Sequence, residues 1–327
     1  MFNHSIVEIN IQPKHVYLTV EDYFNKVKTM KTIKIFSALV LSALMLGACN
    51  DEDSKTTRGK ASVYITDAPI DDVNVKEVVI TINTVDVKGP NGWETIVEFE
   101  EPVSIDLLSY QNGESFLLTE NELVAGTYTE VRLGLDIQEK IDDQLQNKGG
   151  YIKYIDGSQE PLFVPSGGQS GYKAKGEFII PEGGVVGVTI DFDVRKAVVK
   201  AGASGKYILK PTVRLVANQD VGMIIGNFTF EGNYDKLIVF AYENNTYTES
   251  EIAEPADGEV RFPNAVTSGA MEEGKFTLAF MNSGTYDLYF AAYDDEGEFV
   301  ELLGAYADVE VGSGAKLELD LDLALLK

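Results

Sequence analysis

The chain has 327 residues and a formal net charge of −25, with two histidines and one cysteine. A single cysteine excludes an internal disulfide framework and a metal site built on several thiolates. A content of 44% hydrophobic and 24% charged residues is that of a globular protein, and 30 glycines beside 16 tyrosines and 16 phenylalanines favour turn-rich β structure.

The N-terminal region has the pattern of a secretory signal peptide. Met30–Lys34 is a short basic stretch, Ile35–Met45 is an uncharged apolar run, and small residues follow. A basic segment, an apolar run and small residues before a break are typical of a cleaved signal, and the run is too short for a membrane-spanning helix. We therefore predict a signal peptide over residues 30–48. Residues 1–29 are interpreted as an upstream extension, and both Met1 and Met30 remain candidate start sites.

The end of this signal resembles a bacterial lipobox. The motif is Leu46–Cys49, LGAC, and the resemblance implies that Cys49 receives lipid on its sulfur and becomes the new N-terminus. Acyl chains contribute about 0.8 kcal/mol per buried CH₂, so the membrane is the expected partner. The acidic stretch Asn50–Ser54 resembles the surface-export signal of Bacteroidota lipoproteins, and a solvated tether is the alternative. We predict a tether over residues 49–59 and an outer-membrane lipoprotein that is displayed on the cell surface rather than towards the periplasm.

The charge of the remaining chain is strongly acidic and unevenly distributed. Removing residues 1–48 takes away five basic and three acidic residues, which leaves 22 and 49, and no histidine remains. This balance argues against binding of nucleic acid and against adsorption to anionic lipid. Residues 49–218 carry a net charge of −10 and residues 219–327 one of −17. We therefore predict two domains, at residues 60–217 and 222–327.

Both predicted domains read as short strands separated by turns. The strands of the first domain are rich in Val, Ile and Thr or alternate between apolar and polar residues. They are 61–66, 75–87, a strand opened by Trp93, 128–137, 151–155, 162–164, 185–192 and 207–216. One helical turn is predicted at residues 106–111. The strands of the second are 223–230, 237–242, 276–281, 285–293, 306–311 and 317–323. No long segment keeps an apolar period of 3.6. We predict an all-β chain of two antiparallel β-sandwiches, immunoglobulin-like or prealbumin-like.

Several motifs of the first predicted domain are similar to those of a known family. They are Ser62–Pro69 (SVYITDAP), Asp106–Gly113 (DLLSYQNG), Ala125–Tyr128 (AGTY), Val164–Gly167 (VPSG), Asp191–Asp193 (DFD) and Lys210–Pro211. In this order they resemble a domain-of-unknown-function family common in Bacteroidota lipoproteins, over about residues 60–217. The resemblance implies location and fold but no catalytic residues.

The second predicted domain resembles the carboxypeptidase regulatory-like or transthyretin-like sandwich. The likeness rests on Gly284–Phe290 (GTYDLYF) and on the alternating closing strand. It implies a structural or binding module and no peptidase chemistry.

Paired aspartates are the main candidates for a metal site. Asp191 and Asp193 are two residues apart, so on a strand both point to one face. Together with Asp67 and Asp71, or Asp72, they could supply hard oxygen ligands for calcium, the only cofactor that the sequence suggests. A glycosidase pair is the catalytic alternative. Since the mature chain has 49 acidic residues, solvated or turn-capping aspartates are the simplest interpretation.

Two tyrosines are candidates for a ligand face. Tyr286 alternates with Leu288 and Phe290 as a core face would, so Tyr289 and Tyr293 fall on the opposite face of the strand. Exposed tyrosines can stack on sugar rings. The alternative is cross-strand packing on a half-exposed sheet.

These features predict a lipid-anchored cell-envelope protein that is not an enzyme, has no catalytic residues and acts as a binding or scaffolding module. Its expected partner is a glycan or an envelope protein. One alternative is a glycan-binding component of a polysaccharide-capture system, and another is a carboxylate-dependent glycosidase.

Overall fold

The computed structural model describes residues 57–68, 74–136, 149–164, 170–201, 206–210, 212–256 and 258–326. Residues from Ser54 onward form one compact unit. The predicted signal, Cys49 and most of the predicted tether lie outside the described residues. No helix in the described part of the chain is long and apolar enough to cross a membrane.

The first half of the described chain contains twelve strands. In chain order they are β1 (Arg58–Ala68), β2 (Val75–Gly89), β3 (Gly92–Asp106), β4 (Phe116–Val124), β5 (Gly126–Leu135), β6 (Gly150–Tyr154), β7 (Gln159–Phe163), β8 (Tyr172–Ile180), β9 (Val185–Asp193), β10 (Val198–Ala201), β11 (Lys206–Leu209) and β12 (Val213–Ala217). A 3₁₀ turn spans Leu107–Ser109 and a one-turn α-helix spans Val194–Ala197. Because β1 begins at Arg58, the first strand starts inside the predicted tether.

These strands form two sheets around one core. The four-stranded sheet has the order β12-β9-β1-β4, and the eight-stranded sheet has the order β10-β11-β7-β6-β2-β5-β8 with β3 paired to β2. Strands from both sheets contribute to a single hydrophobic cluster, including Val63, Ile65, Val85, Val131, Ile190 and Phe192, none of which is exposed. Polar residues alternate with these core residues along β1 and β9, and several of them, including Ser62, Thr66 and Thr189, are also buried.

The second half repeats this plan with seven strands. They are β13 (Val221–Thr229), β14 (Lys236–Glu243), β15 (Thr267–Ala270), β16 (Lys275–Asn282), β17 (Gly284–Tyr293), β18 (Phe299–Val311) and β19 (Lys316–Asp322), with 3₁₀ turns at Glu249–Ile252 and Leu323–Leu325. A three-stranded sheet β16-β13-β19 packs on a four-stranded sheet β15-β14-β17-β18. Their shared core includes Val239, Leu278, Leu288 and Phe290.

The four-stranded sheet of the second half is covered on its outer face as well. Along β14, Leu237, Val239 and Ala241 belong to the core between the sheets, whereas Ile238, Phe240 and Tyr242 belong to a separate cluster. This second cluster contains Phe262 and Ala265, which come from the connection between β14 and β15. The outer face is therefore buried by the chain's own loop rather than exposed to water.

Both halves contain the same hydrogen bond from a tyrosine that follows a glycine-threonine pair. The hydroxyl of Tyr128 donates to the carbonyl of Val124 at 2.9 Å, and that of Tyr286 donates to the carbonyl of Asn282 at 2.8 Å. A tyrosine that bonds back to the backbone a few residues upstream is a common way to fix a β-sandwich corner. This hydrogen bond ties the starts of β5 and β17 to the strands before them.

The all-β prediction is confirmed, and several details differ. The predicted strand 207–216 is wrong as a single element, because proline at position 211 cannot donate to a ladder and the chain forms β11 and β12 in different sheets. The strands β4, β8, β10 and β15 were not predicted. Three pairs, β1–β9, β7–β11 and β13–β19, are parallel, so the sheets are not purely antiparallel.

Candidate functional site

The aspartates singled out from the sequence lie at the ends of two neighbouring strands. In the parallel ladder of β1 and β9, Thr66 pairs with Asp191, Asp67 with Phe192 and Ala68 with Asp193. Because register partners share a face, Asp67 lies on the face of the core residue Phe192, and Asp191 and Asp193 lie on the other. The structure brings the three carboxylates near one another without placing them on one face.

Asp67 is a buried carboxylate that holds the start of the short helix. One of its oxygens accepts the backbone N–H of Val194 at 3.0 Å, and the other lies 3.5 Å from the side-chain amide of Gln111. Burial raises the pKa of Asp67 well above its usual value, and the charges of Asp193 and Asp191 add to this rise against the Val194 hydrogen bond. Burial therefore favours the neutral form of Asp67 more than water would, and its contacts give it a structural hydrogen-bonding role.

Asp191 is paired with an arginine across the neighbouring strand. Arg214 of β12 is its register partner and donates to its carboxylate. Burial raises the pKa of Asp191, and the positive charge of Arg214 opposes this rise. The ion pair thus joins a buried carboxylate to a partly exposed guanidinium on the edge strand β12.

Asp193 forms ion pairs with two cations of the one-turn helix. The ammonium of Lys196 lies 3.0 Å from its carboxylate, and the guanidinium of Arg195 lies 3.7 Å away. Burial alone would raise the pKa of Asp193, but these two charges outweigh it and lower the pKa. Asp193 also accepts the backbone N–H of Lys196 and so caps the helix.

The same two cations connect the halves of the molecule. Arg195 is only 3% exposed and donates to the backbone carbonyls of Arg261 and, at 3.2 Å, Phe262. Its guanidinium lies 5.0 Å from the ring centroid of Phe240. Lys196 donates to the carbonyl of Ala265. We call Arg195 and Lys196, with the carbonyls that they contact, the arginine clamp.

A cleft of about 320 Å³ lies beside this clamp and is lined by both halves. The first half contributes two carboxylates, Asp191 and Asp193, and two cations, Lys196 and Arg214. The second half contributes polar groups of Glu243, Asn264 and Tyr286. Groups of both signs in one concave site can orient a polar ligand through hydrogen bonds and ion pairs.

The calcium hypothesis remains a prediction. Asp71 and Asp72 lie outside the described residues. Within the described part of the chain, no group of three or more histidine, cysteine, aspartate or glutamate residues is arranged to hold a metal ion. Since cations already contact Asp191 and Asp193, a metal at this place would have to displace them.

The predicted tyrosine face does not form as an exposed surface. Tyr293 is 2% exposed and packs edge-on against Phe299, so it is buried rather than open to a ligand. Tyr289 is half-buried, and its ring stacks on Tyr247 at a centroid distance of 4.0 Å. The connection between β14 and β15 covers this face, which sequence alternation alone does not reveal. Tyr286, Leu288 and Phe290 lie in the core, as their spacing predicts.

The sequence patterns did not single out Arg195 and Lys196 as functional residues. A signal was present, because Arg195 and Lys196 directly follow the strand that ends at Asp193 and are flanked by valine and alanine. Long cations between buried apolar residues at a strand end indicate a buried partner. What the sequence does not contain is the partner itself, since the backbone carbonyls at 261, 262 and 265 are distant in the chain.

One segment of the chain matches the model of a described family. Residues 58–211 match the family described as "Domain of unknown function (DUF4382)". No curated protein matches the chain.

Solved structures superpose only poorly on the chain. The major pilin subunit of Bacillus cereus is 9% identical, with 81% of this chain and 69% of that chain covered and a TM-score of 0.21. The minor pilin of Streptococcus agalactiae is 8% identical, with 80% and 94% covered and a TM-score of 0.19. The fimbrial anchor protein of Porphyromonas gingivalis is 12% identical, with 74% and 81% covered and a TM-score of 0.17. Likeness at this level carries no argument about function, so the comparisons assign to this chain a domain of unknown function over residues 58–211 and nothing further.

Proposed function

We propose that this protein is a lipid-anchored cell-envelope protein whose two β halves act as one rigid, non-catalytic binding or scaffolding body. The observation that carries the proposal is the arginine clamp. Arg195 is buried and donates to carbonyls of the other half, so its side chain opposes both separation and rotation of the halves. A ligand-binding surface is most effective when rigid elements hold it in place.

The proposed lipid anchor is Cys49. Its lipobox-like context, LGAC, supports lipidation, and the acidic stretch behind it supports export to the outer face of the outer membrane. Two or more acyl chains anchor a protein stably, whereas a single chain binds reversibly. The rigid body would then project from the membrane on a short acidic tether.

The anchor is tested by growing a Bacteroidota host that expresses the full chain with an alkyne-tagged fatty acid. The wild-type protein should be labelled and should partition into the detergent phase of Triton X-114. The Cys49→Ser variant should be unlabelled and should remain in the aqueous phase. A wild-type protein without label would contradict lipidation at this residue.

Surface display is tested separately, by treating intact cells with a protease and probing the protein afterwards. Loss of the protein from intact cells supports surface display. Protection until the outer membrane is permeabilised would place the protein towards the periplasm. N-terminal sequencing of the precursor decides the start, since a peptide that spans Lys28 to Met30 requires translation from Met1.

The non-catalytic role is tested with a glycan array followed by mass spectrometry of the bound sugars. We expect binding without shortening of the bound chains. A result with no glycan bound would favour scaffolding of envelope proteins. Reproducible hydrolysis that disappears when acidic residues are replaced would overturn the proposal.

One observation keeps a glycosidase as the second candidate. Asp191 and Asp193 line the same cleft, and their environments move their pKa values in opposite directions. A carboxyl pair with separated pKa values is the arrangement that acid–nucleophile chemistry needs. The Asp191→Asn variant tests this candidate, because it would abolish turnover of any substrate that the wild-type protein cleaves.

A further inference from the structure

The outer face of the eight-stranded sheet groups four cations around one tryptophan in an otherwise acidic protein. Two rows of cross-strand partners run over β3, β2, β5 and β8: Trp93, Lys88, Glu130 and Lys175 in one row, and Thr95, Asp86, Arg132 and Lys173 in the other. We call these eight residues the Trp93 face. These residues include four cations and two carboxylates, and two further glutamates, Glu98 and Glu177, lie next to them on the same face.

Trp93 forms an aromatic platform on this face. Its ring centroid lies 4.6 Å from the guanidinium carbon of Arg132, 5.9 Å from the ammonium of Lys173 and 6.0 Å from that of Lys88. These cations belong to β2, β5 and β8, so the indole extends from β3 across the sheet and rests on their side chains. The tryptophan nevertheless remains 39% exposed. The cation–π contacts therefore position the ring and still leave part of it accessible.

The two carboxylates of the Trp93 face each pair with one of its cations. Asp86 pairs with Arg132 at 2.7 Å, and Glu130 pairs with Lys88 at 2.6 Å. The hydrogen bond from Lys88 lowers the pKa of Glu130. Neither Lys173 nor Lys175 forms a salt bridge with any residue that the structure describes. Two cations without such a salt bridge thus lie side by side on β8, with Glu177 as the next residue on the same face.

Those two lysines also line a groove. Lys173 and Lys175 border a cleft of about 600 Å³ whose other described walls include Ser170, Tyr172 and Leu209. None of the described residues that line it is an aspartate or a glutamate. The aromatic platform, the two lysines and the groove therefore follow one another along the sheet.

From this juxtaposition we propose that the Trp93 face binds an acidic polysaccharide, namely a chain of uronic acid residues. The C–H face of a pyranose ring complements the electron-rich face of the indole, and its carboxylate complements Lys173 or Lys175. Nucleic acid is disfavoured, because four cations that share their face with carboxylates are far fewer than the broad basic footprint of nucleic-acid binding. The inference adds a site to the proposed binding role and does not depend on the anchor.

The test is native-gel retardation of the mature chain carrying Cys49→Ser, with polygalacturonate cast into the gel. The matched probe is the same polymer with its carboxylates methyl-esterified, which keeps the rings and removes the charge. The variants are Trp93→Ala and the double variant Lys173→Gln with Lys175→Gln. Matched controls from the second half are Tyr306→Ala, where the tyrosine is also 39% exposed, and Lys316→Gln, where the lysine is also on the surface.

We expect polygalacturonate to retard the protein and the esterified polymer to do so at least about tenfold more weakly, with retardation falling as salt rises. Each Trp93-face variant should lose about tenfold or more in affinity, and both controls should bind like wild type. Absence of retardation, or equal losses in the controls, would overturn the site. Equal or stronger retardation by polyglutamate or by single-stranded DNA would overturn the polysaccharide assignment. All these outcomes leave the envelope-anchor proposal standing, since its readouts are lipid labelling and protease shaving.

Discussion

Two outer sheet faces of this molecule differ in burial, since one is covered by another part of the chain and the other is exposed. The outer face of β14 and β17, with Ile238, Phe240, Tyr242 and Ala291, is buried under the connection from β14 to β15 and capped by Arg195 of the other half. We call it the covered face. The Trp93 face of the first half is open and leaves its tryptophan 39% exposed. One face is thus closed by the chain's own connection, and the other is open to solvent.

The residue patterns of the strands reflect the difference between the two faces. In β14 the run LIVFAY is apolar throughout, which is typical of a strand buried on both faces. In β8 apolar Tyr172, Ala174 and Phe178 alternate with Lys173, Lys175 and Glu177, which is typical of a strand with one solvated face. A continuous apolar run therefore indicates a covered face, and alternation indicates an open one.

Phe240→Ala should produce the largest loss of stability. Phe240 is fully buried, and its ring stacks on Phe262 at a centroid distance of 4.3 Å. Removing a buried aromatic side chain leaves a cavity and costs about 3–5 kcal/mol. Urea unfolding measures this loss. A cost below about 1 kcal/mol would mean that the connection does not pack on this face.

Arg195→Ala should cause the second largest loss, about 2–5 kcal/mol in the free energy of unfolding. The variant leaves Asp193 with one fewer cation and leaves the carbonyls of Arg261 and Phe262 without their donor. Arg195→Met keeps much of the apolar packing on Phe240 and should recover part of the loss. If both variants are as stable as wild type in urea, the clamp contributes nothing to the contact between the halves.

Glu251→Gln should cost about 1–2 kcal/mol at pH 7. Glu251 accepts the hydroxyl of Tyr242 at 2.7 Å and the backbone N–H of Asn264 at 3.2 Å. Burial alone would raise its pKa, but these hydrogen bonds outweigh burial and lower it. The stabilisation is therefore present above the unfolded pKa of 4.5 and is lost as pH falls further. Unfolding measured from pH 7 to pH 3 should show the two proteins converge, and a constant difference would contradict this explanation.

Asp67→Asn should increase the stability of the folded protein, by less than the preceding variants decrease it. The folded protein raises the pKa of Asp67, mainly through burial, so ionisation costs stability as pH rises above the unfolded value of 3.8. Asparagine keeps an oxygen for the Val194 N–H and removes the charge. The melting temperature at pH 7 should rise by about 2–4 °C, and the gain should vanish below pH 3.8. A lower melting temperature at pH 7 would show that the charged form is the favoured one.

Trp93→Ala should have the smallest effect, about 1 kcal/mol or less, because the ring is exposed and its cation–π contacts lie at the surface. Urea unfolding beside the Tyr306→Ala control gives this value. A loss as large as that of Phe240→Ala would mean that the Trp93 face is a structural core rather than an open surface.

Much of the fold follows from local patterns, and most of the site does not. Strand patterns predicted β5 and the closing strand β19, and the strands predicted at 151–155 and 162–164 correspond to β6 and β7. The strand β8 also alternates but was missed, since Gly176 interrupts its pattern.

The site depends on contacts between distant parts of the chain. Spacing placed Asp191 and Asp193 on one face, but only the parallel register of β1 and β9 sets Asp67 on the other. The burial of Tyr293 depends on Phe299, Phe262 and the long connection, and no period within β17 contains that information.

The central claim is that the arginine clamp joins two β halves into one rigid body. Differential scanning calorimetry of the mature chain carrying Cys49→Ser tests it most directly. We predict a single transition for this protein, with equal calorimetric and van't Hoff enthalpies, and two resolved transitions once Arg195→Ala is added. Two independent transitions before the clamp is removed would contradict the claim.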